Sequence, residues 1–256
     1  MLHRATATTG RLTRVSPAVL LIAVAAVCWA ITARRMDGMD MGPGTDLGSL
    51  GWFAVVWLTM MAAMMLPSLV PMAVTYAGAS RDEGASSPTL GTVVFACGYL
   101  VTWLAAGVVA YGVIKAVDAL DLSWLAWDKG GPYVAGGVIL GAALYELTSV
   151  KSRCLRHCRN PELLTEHWRP GLSGALPMGL EHGGYCVGSS WALMAALFAI
   201  GVMNVMWMIV VAALIALEKL LPSDRGAIAG TALFIAVLGI AVAFAPDQVP
   251  GLTIPM

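Results

Sequence analysis

The sequence predicts an all-α fold, a polytopic bundle of transmembrane helices with about seven spans. Of 256 residues, 59% are hydrophobic and only 12% are charged, and the mean hydropathy is +0.79. A soluble domain carries about 25% charged residues, so most of this surface is expected to face lipid. The whole chain, residues 1–256, is interpreted as a single integral membrane domain with the lipid bilayer as its main partner. Fifteen basic and fifteen acidic residues cancel, which argues against a nucleic-acid partner.

Seven apolar stretches are long enough to cross a hydrocarbon layer of about 30 Å. The fifth and sixth are nearly continuous, and Gly201 to Asn204 is the only plausible break between them. A different division there would reverse the side of the membrane on which the C-terminus lies. The seven stretches lie near residues 17–33, 51–77, 89–116, 132–149, 174–200, 203–221 and 226–246.

The first stretch follows three arginines and is interpreted as a retained anchor. A secretory signal peptide has an apolar region of about 7–15 residues, which is shorter than this stretch. The segment Ile31-Thr32-Ala33 is also a poor cleavage site. Cleavage would leave six spans.

The distribution of Lys and Arg predicts the orientation, because cytoplasmic loops hold the excess of these residues. If the N-terminus is cytoplasmic, the inner segments hold eleven of the fifteen Lys and Arg residues, including Lys151 and Lys219. The loop 36–50 is then external, and the loop 151–173 lies in the reducing cytoplasm. Residues 161–168 begin with a proline and are expected to form a short helix at the inner surface.

Methionines cluster in two places on the predicted external side. The loop after the first span contains Met36, Met39 and Met41 among glycines and aspartates, and the second span contains Met61, Met64 and Met65 before Pro67. Thioethers select Cu(I) over hard cations. Incidental methionines in a polar loop and ordinary core packing are the alternative interpretations.

The fifth span carries His182 and Cys186, which are four residues apart and therefore share one face of a helix. An imidazole and a thiol on one face can supply two ligands to a soft or borderline metal. In the fourth span, Glu146 is an acid at membrane depth. It is expected either to pair with Lys151 or another basic group, to line a cation path, or to reach the interface.

The cytoplasmic loop carries Cys154, His157 and Cys158 within two turns of a possible helix. These side chains offer two thiols and an imidazole. A structural zinc site of this spacing is usually completed by a second pair, which this chain lacks. The excess of Lys and Arg that is typical of cytoplasmic loops explains the neighbouring arginines, but it does not explain the cysteines.

These motifs resemble a family of bacterial predicted metal-binding integral membrane proteins, and the resemblance covers roughly residues 50–222. It implies a metal and a bacterial inner membrane, but no reaction. Relatives often have two cysteines where this chain has Ser189 and Ser190, which weakens a site built from a cysteine cluster there. The matching segments are Trp57 to Pro71, Lys151 to Pro161, Cys186 to Leu193, Gly201 to Asn204 and Glu218 to Pro222.

The leading hypothesis is a membrane protein that binds and moves copper(I), with zinc or another soft divalent metal as the alternative ion. The route would run from the methionine loop through the second span to His182 and Cys186, and then to the cytoplasmic cysteines. A metallochaperone or a neighbouring membrane protein would be its partner. An intramembrane metal-dependent oxidoreductase and an accessory subunit with a vestigial metal site are the other hypotheses, and an enzyme is the less favoured interpretation.

Overall fold

The computed structural model describes residues 16–36, 47–85, 87–120, 124, 127–201, 204–221, 224–250 and 252. These residues contain helices and no strand, which confirms the predicted all-α fold. A 3-10 turn at Pro246–Gln248 follows the last helix. The helices are α1 (Pro17–Met36), α2 (Leu50–Asp82), α3 (Pro88–Ala119), α4 (Gly131–Glu146), α5 (Ser149–Arg159), α6 (Pro161–Glu166), α7 (Gly171–Ile200), α8 (Val205–Leu220) and α9 (Asp224–Phe244).

Five helices in the described part of the chain are long and apolar enough to cross a membrane: α1, α2, α3, α7 and α9. Helices α4 and α5 pass the same test as a pair but meet at a bend of 65°, so they form a sixth span if the pair crosses as one. Helix α8 has 16 residues, fewer than the roughly 20 that a span needs. The predicted count of seven is therefore not confirmed, although each predicted stretch contains a helix.

The predicted break between the fifth and sixth stretches is confirmed. Helix α7 ends at Gly201, whose φ of 119° is readily adopted only by glycine. Helix α8 begins after Asn204, whose side chain accepts hydrogen bonds from the backbone nitrogens of Met206 and Trp207 at 2.9 and 3.3 Å. A glycine C-cap followed by an asparagine N-cap explains why the apolar run divides here.

Helices α3 and α7 pack closely because glycines face backbone atoms across their contact. A side chain at Gly179 would overlap the carbonyl group of Phe95, and one at Gly98 would overlap the carbonyl oxygen of Leu176. Such small residues let membrane helices approach closely. This contact places the His182 and Cys186 face of α7 against the aromatic rings of α3.

The short helix predicted near residues 161–168 is present as α6. Asn160 caps it by accepting a hydrogen bond from the backbone nitrogen of Glu162 at 3.1 Å, and Pro161 begins it. Helix α6 packs against α2 and α5.

Candidate metal site

Two cysteine thiols meet in the core of the bundle. Cys158 of α5 and Cys186 of α7 are both buried, and their side chains lie close enough to interact. The Oη atom of Tyr99 lies 2.9 Å from the Cys186 Sγ, and the Lys219 Nζ donates to the same sulfur at 2.9 Å. We call Cys158, Cys186, Tyr99 and Lys219 the thiol centre.

Serine hydroxyls line the thiol centre. The Ser189 Oγ donates to the carbonyl oxygen of Cys186 at 2.9 Å and lies 3.8 Å from the Cys158 Sγ. Its distance to the Ser190 Oγ is 3.3 Å. On the opposite side, the Lys219 Nζ donates to the Ser68 Oγ of α2 at 3.2 Å. The two serines that replace the expected cysteines therefore lie beside the thiols, where cysteines would enlarge the sulfur cluster.

The methionines of α2 are buried on the side of the helix that faces this centre. Met61, Met65 and Met72 are at most 1% exposed, and they repeat at helical spacing with Ser68. Because Ser68 contacts Lys219, the face that they share is directed toward the thiol centre. Met64 is also buried and lies one turn before Ser68.

His182 lies one turn before Cys186 on the same face of α7, as predicted. It is 7% exposed, and its ring packs against Phe95 and Tyr99 with centroid distances of 5.9 and 6.0 Å. Tyr99 therefore contacts both His182 and Cys186, and it is a residue that the sequence analysis did not select. An apolar helix with a tyrosine gives no local signal that its hydroxyl meets a thiol.

The three candidate ligands of α5 point to different neighbours. Cys158 contacts Cys186, whereas the Cys154 Sγ lies against Gly188, 2.7 Å from the position that a β-carbon would take there. His157 stacks on Tyr185 with ring centroids 4.1 Å apart. Only Cys158 of the three joins the thiol centre.

The methionine loop lies largely outside the described residues. Met36 is the last residue of α1 and is buried, whereas Met39 and Met41 are not described. The proposed first step of the copper route through this loop stays a prediction.

A second buried polar cluster lies next to the thiol centre. Lys151 of α5 is fully buried between Glu146 of α4 and Glu218 of α8, and its Nζ donates to the Glu218 Oε2 at 2.7 Å. We call these three residues the ion-pair centre. The expected pairing of Glu146 with Lys151 is confirmed, and the carboxylate is fully buried within the protein.

Lys151 and Lys219 have a different role from the one that the sequence predicted. Both were counted among the residues of inner loops, yet Lys151 is fully buried and Lys219 reaches the core sulfur. The adjacent Glu218 and Lys219 at the end of an apolar run were the signal for a buried site, because charge at membrane depth usually marks a functional position.

The donor atoms at the thiol centre suit a soft ion of low coordination number. Among the described residues, no three His, Cys, Asp or Glu side chains are placed to hold one metal ion together. The thiol centre instead offers two sulfurs from Cys158 and Cys186, with thioethers on the facing helix. Thiolates and thioethers are the ligands that select Cu(I).

A family model described as copper chaperone matches residues 54–242, from α2 to the end of α9. The chain therefore belongs to this family of copper chaperones, PpoB2. No curated protein and no solved structure matches the chain. The copper in the family description agrees with the metal that the sequence predicted, and the match extends past residue 222, where the expected resemblance ended. The description makes no statement about a membrane.

Proposed function

We propose that this protein is an integral membrane copper chaperone that binds Cu(I) at the thiol centre and passes it to a partner protein. The observation that carries the proposal is the contact between the Cys158 and Cys186 thiols, which come from different helices and are both buried. In a chain of a copper chaperone family, two sulfurs in the core of the bundle are the strongest candidate ligands for the ion.

Sulfur chemistry favours copper(I) over the alternative ions. Structural zinc is almost always held by four ligands, whereas the thiol centre supplies two thiols and no third His, Cys, Asp or Glu in the described residues. Hard cations prefer oxygen ligands and do not need the thioethers of Met61, Met64 and Met65. Of these ions, Cu(I) is the best suited to both kinds of sulfur.

Lys219 allows copper to be released from the thiol centre. An anionic sulfur at this depth needs a cationic partner, and the ammonium of Lys219 supplies it 2.9 Å from the Cys186 Sγ. A copper ion at that sulfur competes with the ammonium for the same atom. Sites that must release their ion bind it weakly and in several steps, and such competition weakens binding.

The direction of delivery follows the predicted orientation. With the N-terminus cytoplasmic, Met36, Met39 and Met41 lie on the outer side and α5 lies on the inner side. The ion would pass from the thioethers of the loop and of α2 to the thiols. A metallochaperone or a neighbouring membrane protein would exchange it at one end of this route.

Copper content after reconstitution tests the proposal. We expect detergent-purified protein, treated anaerobically with Cu(I), to retain about one copper per chain through desalting, because thiolates bind this ion strongly. The variant Cys158→Ser/Cys186→Ser is expected to retain almost none. Atomic absorption gives the metal, and amino-acid analysis gives the protein.

The matched control is Cys28→Ser/Cys97→Ser, which removes two thiols that lie on α1 and α3 away from the thiol centre. This variant is expected to retain copper like the parent chain, and so is Cys154→Ser. A parent chain that stays free of copper, or equal losses in both double variants, would overturn the proposal and favour an accessory subunit with a vestigial site.

A further inference from the structure

A cavity opens between α5, α6 and α7 beside the thiol centre. It is a depression that is open to the exterior, and the space between its walls, together with the solvent at its mouth, amounts to about 430 Å³. Three of the four histidines in the sequence line it: His157, His167 and His182. The thioether of Met178 and the carboxylate of Glu181 also lie in its wall. An accumulation of imidazoles in one cavity is unexpected in a chain with so few histidines.

Two of these imidazoles are oriented as metal ligands are. The His157 Nδ1 lies 3.0 Å from the carbonyl oxygen of Arg153, and the His167 Nδ1 lies 3.4 Å from that of Leu163. A carbonyl oxygen can only accept, so each Nδ1 carries the hydrogen and each neutral ring keeps a lone pair on Nε2. Histidine ligands of metals are held by the same kind of bond from the other ring nitrogen.

The neighbouring groups hold the cavity wall in place. The ring of His157 on α5 stacks on the ring of Tyr185 on α7 at an interplanar angle of 13°. This stacking holds the imidazole against α7. The backbone nitrogen of Arg169 donates to the Met178 Sδ at 3.4 Å, and the guanidinium of Arg169 lies 3.7 Å from the Glu181 carboxylate. The segment after α6 is therefore attached to α7 by two contacts at the cavity.

The cavity and the thiol centre share two helices. On α7, His182 lines the cavity and Cys186 lies one turn deeper. On α5, His157 lines the cavity and the next residue, Cys158, contacts Cys186. His182 also packs on Tyr99, whose hydroxyl reaches the Cys186 sulfur. The histidine side chains therefore extend from an accessible opening to the buried thiols.

We propose that this cavity is an exchange port, in which His157, His167 and His182 carry copper between a donor or acceptor outside the bundle and the thiol centre. The inference rests on the proposed function and adds the route to its site. Since no three such side chains converge in the described residues, the imidazoles bind the ion weakly and in succession. Weak, successive sites are what rapid transfer requires.

Transfer kinetics test the port. Cu(I) is exchanged in both directions between the protein and a soluble colorimetric Cu(I) chelator, and the rates are followed by stopped-flow absorbance. The variant His157→Ala/His167→Ala is expected to slow both directions about tenfold, a loss typical of residues that assist a metal site. The copper stoichiometry at equilibrium is expected to stay unchanged, because the thiols remain.

The control is Leu163→Ala/Leu164→Ala, which alters the same cavity without removing a nitrogen or sulfur atom. Its transfer rates are expected to match those of the parent chain. Rates that are unaffected by the histidine changes, or slowed equally in both variants, would overturn the exchange port.

A second measurement separates the port from the thiol centre. The chain with His3→Ala and Cys158→Ser/Cys186→Ser keeps imidazoles only in the cavity, and Cu(II) serves as the probe because imidazole suits this ion. We expect electron paramagnetic resonance to show nitrogen couplings that disappear after His157→Ala/His167→Ala/His182→Ala, which removes all three imidazoles of the cavity. Their absence in the starting chain, or their persistence after these changes, would overturn the port even if the thiol centre binds Cu(I). Their presence would support the port even if the thiols fail to bind copper.

Discussion

The ion-pair centre and the thiol centre lie side by side, but they differ in the chemistry of their atoms. Glu218 and Lys219 are consecutive residues of α8, yet Glu218 binds Lys151 and Lys219 binds Cys186. The first centre is made of hard charges, two carboxylates around one ammonium. The second contains polarisable sulfurs that a soft cation can bind. Burial alone therefore does not separate a structural cluster from a metal site, whereas donor chemistry does.

The ion-pair centre has the features of a structural cluster that holds three helices together. Lys151 connects Glu146 at the end of α4 with Glu218 of α8, and it is the third residue of α5, just after the bend between α4 and α5. Removing one partner of a buried pair leaves an uncompensated charge, which is costly. At the thiol centre, a serine hydroxyl in place of the Cys186 thiol can still accept the Lys219 hydrogen bond, and Ser68 remains a second acceptor. Its variants are therefore expected to fold and to lose less stability than a variant that breaks the ion-pair centre.

The largest effect is expected from breaking the ion-pair centre. Lys151→Met leaves two buried carboxylates without their cation, and we expect it to destabilise the protein by about 3–5 kcal/mol. Thermal unfolding in detergent measures this loss. The triple variant Glu146→Gln/Lys151→Met/Glu218→Gln removes all three charges and is expected to recover most of the stability. If Lys151→Met unfolds at the temperature of the parent chain, the ion-pair centre does not stabilise the fold.

A smaller effect is expected from the thioethers that face the thiol centre. Met61→Leu/Met65→Leu conserves volume, so the stability should change by less than about 1.5 kcal/mol. The affinity for Cu(I), measured by competition with a chelator, is expected to fall about tenfold because two soft ligands are lost.

The control for the thioethers is Met194→Leu/Met208→Leu, which replaces buried methionines of α7 and α8. Met194 lies two turns beyond Cys186, and Met208 lies three turns before Lys219, so neither reaches the thiol centre. An equal fall in affinity in both double variants would show that α2 has no special part in copper binding.

The smallest effect is expected from enlarging the sulfur cluster. The Ser189 Oγ lies 3.8 Å from the Cys158 Sγ, so Ser189→Cys places a third thiol beside the pair. We expect the affinity for Cu(I) to rise by up to about tenfold and release to slow accordingly. Ser152→Cys, at a partly buried position of α5 more than one turn before Cys158, is the control. A decrease in affinity for Ser189→Cys would indicate that the hydroxyl itself has a role in the thiol centre.

The sequence determined the helices and the pairs that lie within one helix. Apolar length located the five helices of the described chain that can cross a membrane, although it also counted α8, which is too short to pass as a span. The glycine and asparagine at residues 201 and 204 divided α7 from α8, and the four-residue spacing placed His182 and Cys186 on one face. These are local properties, because helix formation depends on residues within about one turn of each other.

Only the tertiary structure decided which of these faces meet. The approach of α7 to α3 at Gly179 brings Tyr99 to Cys186, and the bend after α4 turns Cys158 inward while Cys154 lies against Gly188. Lys219, which the sequence placed among anchoring loop residues, reaches the same sulfur. Contacts between helices depend on packing across large separations in sequence, and neither hydropathy nor helical period carries that information.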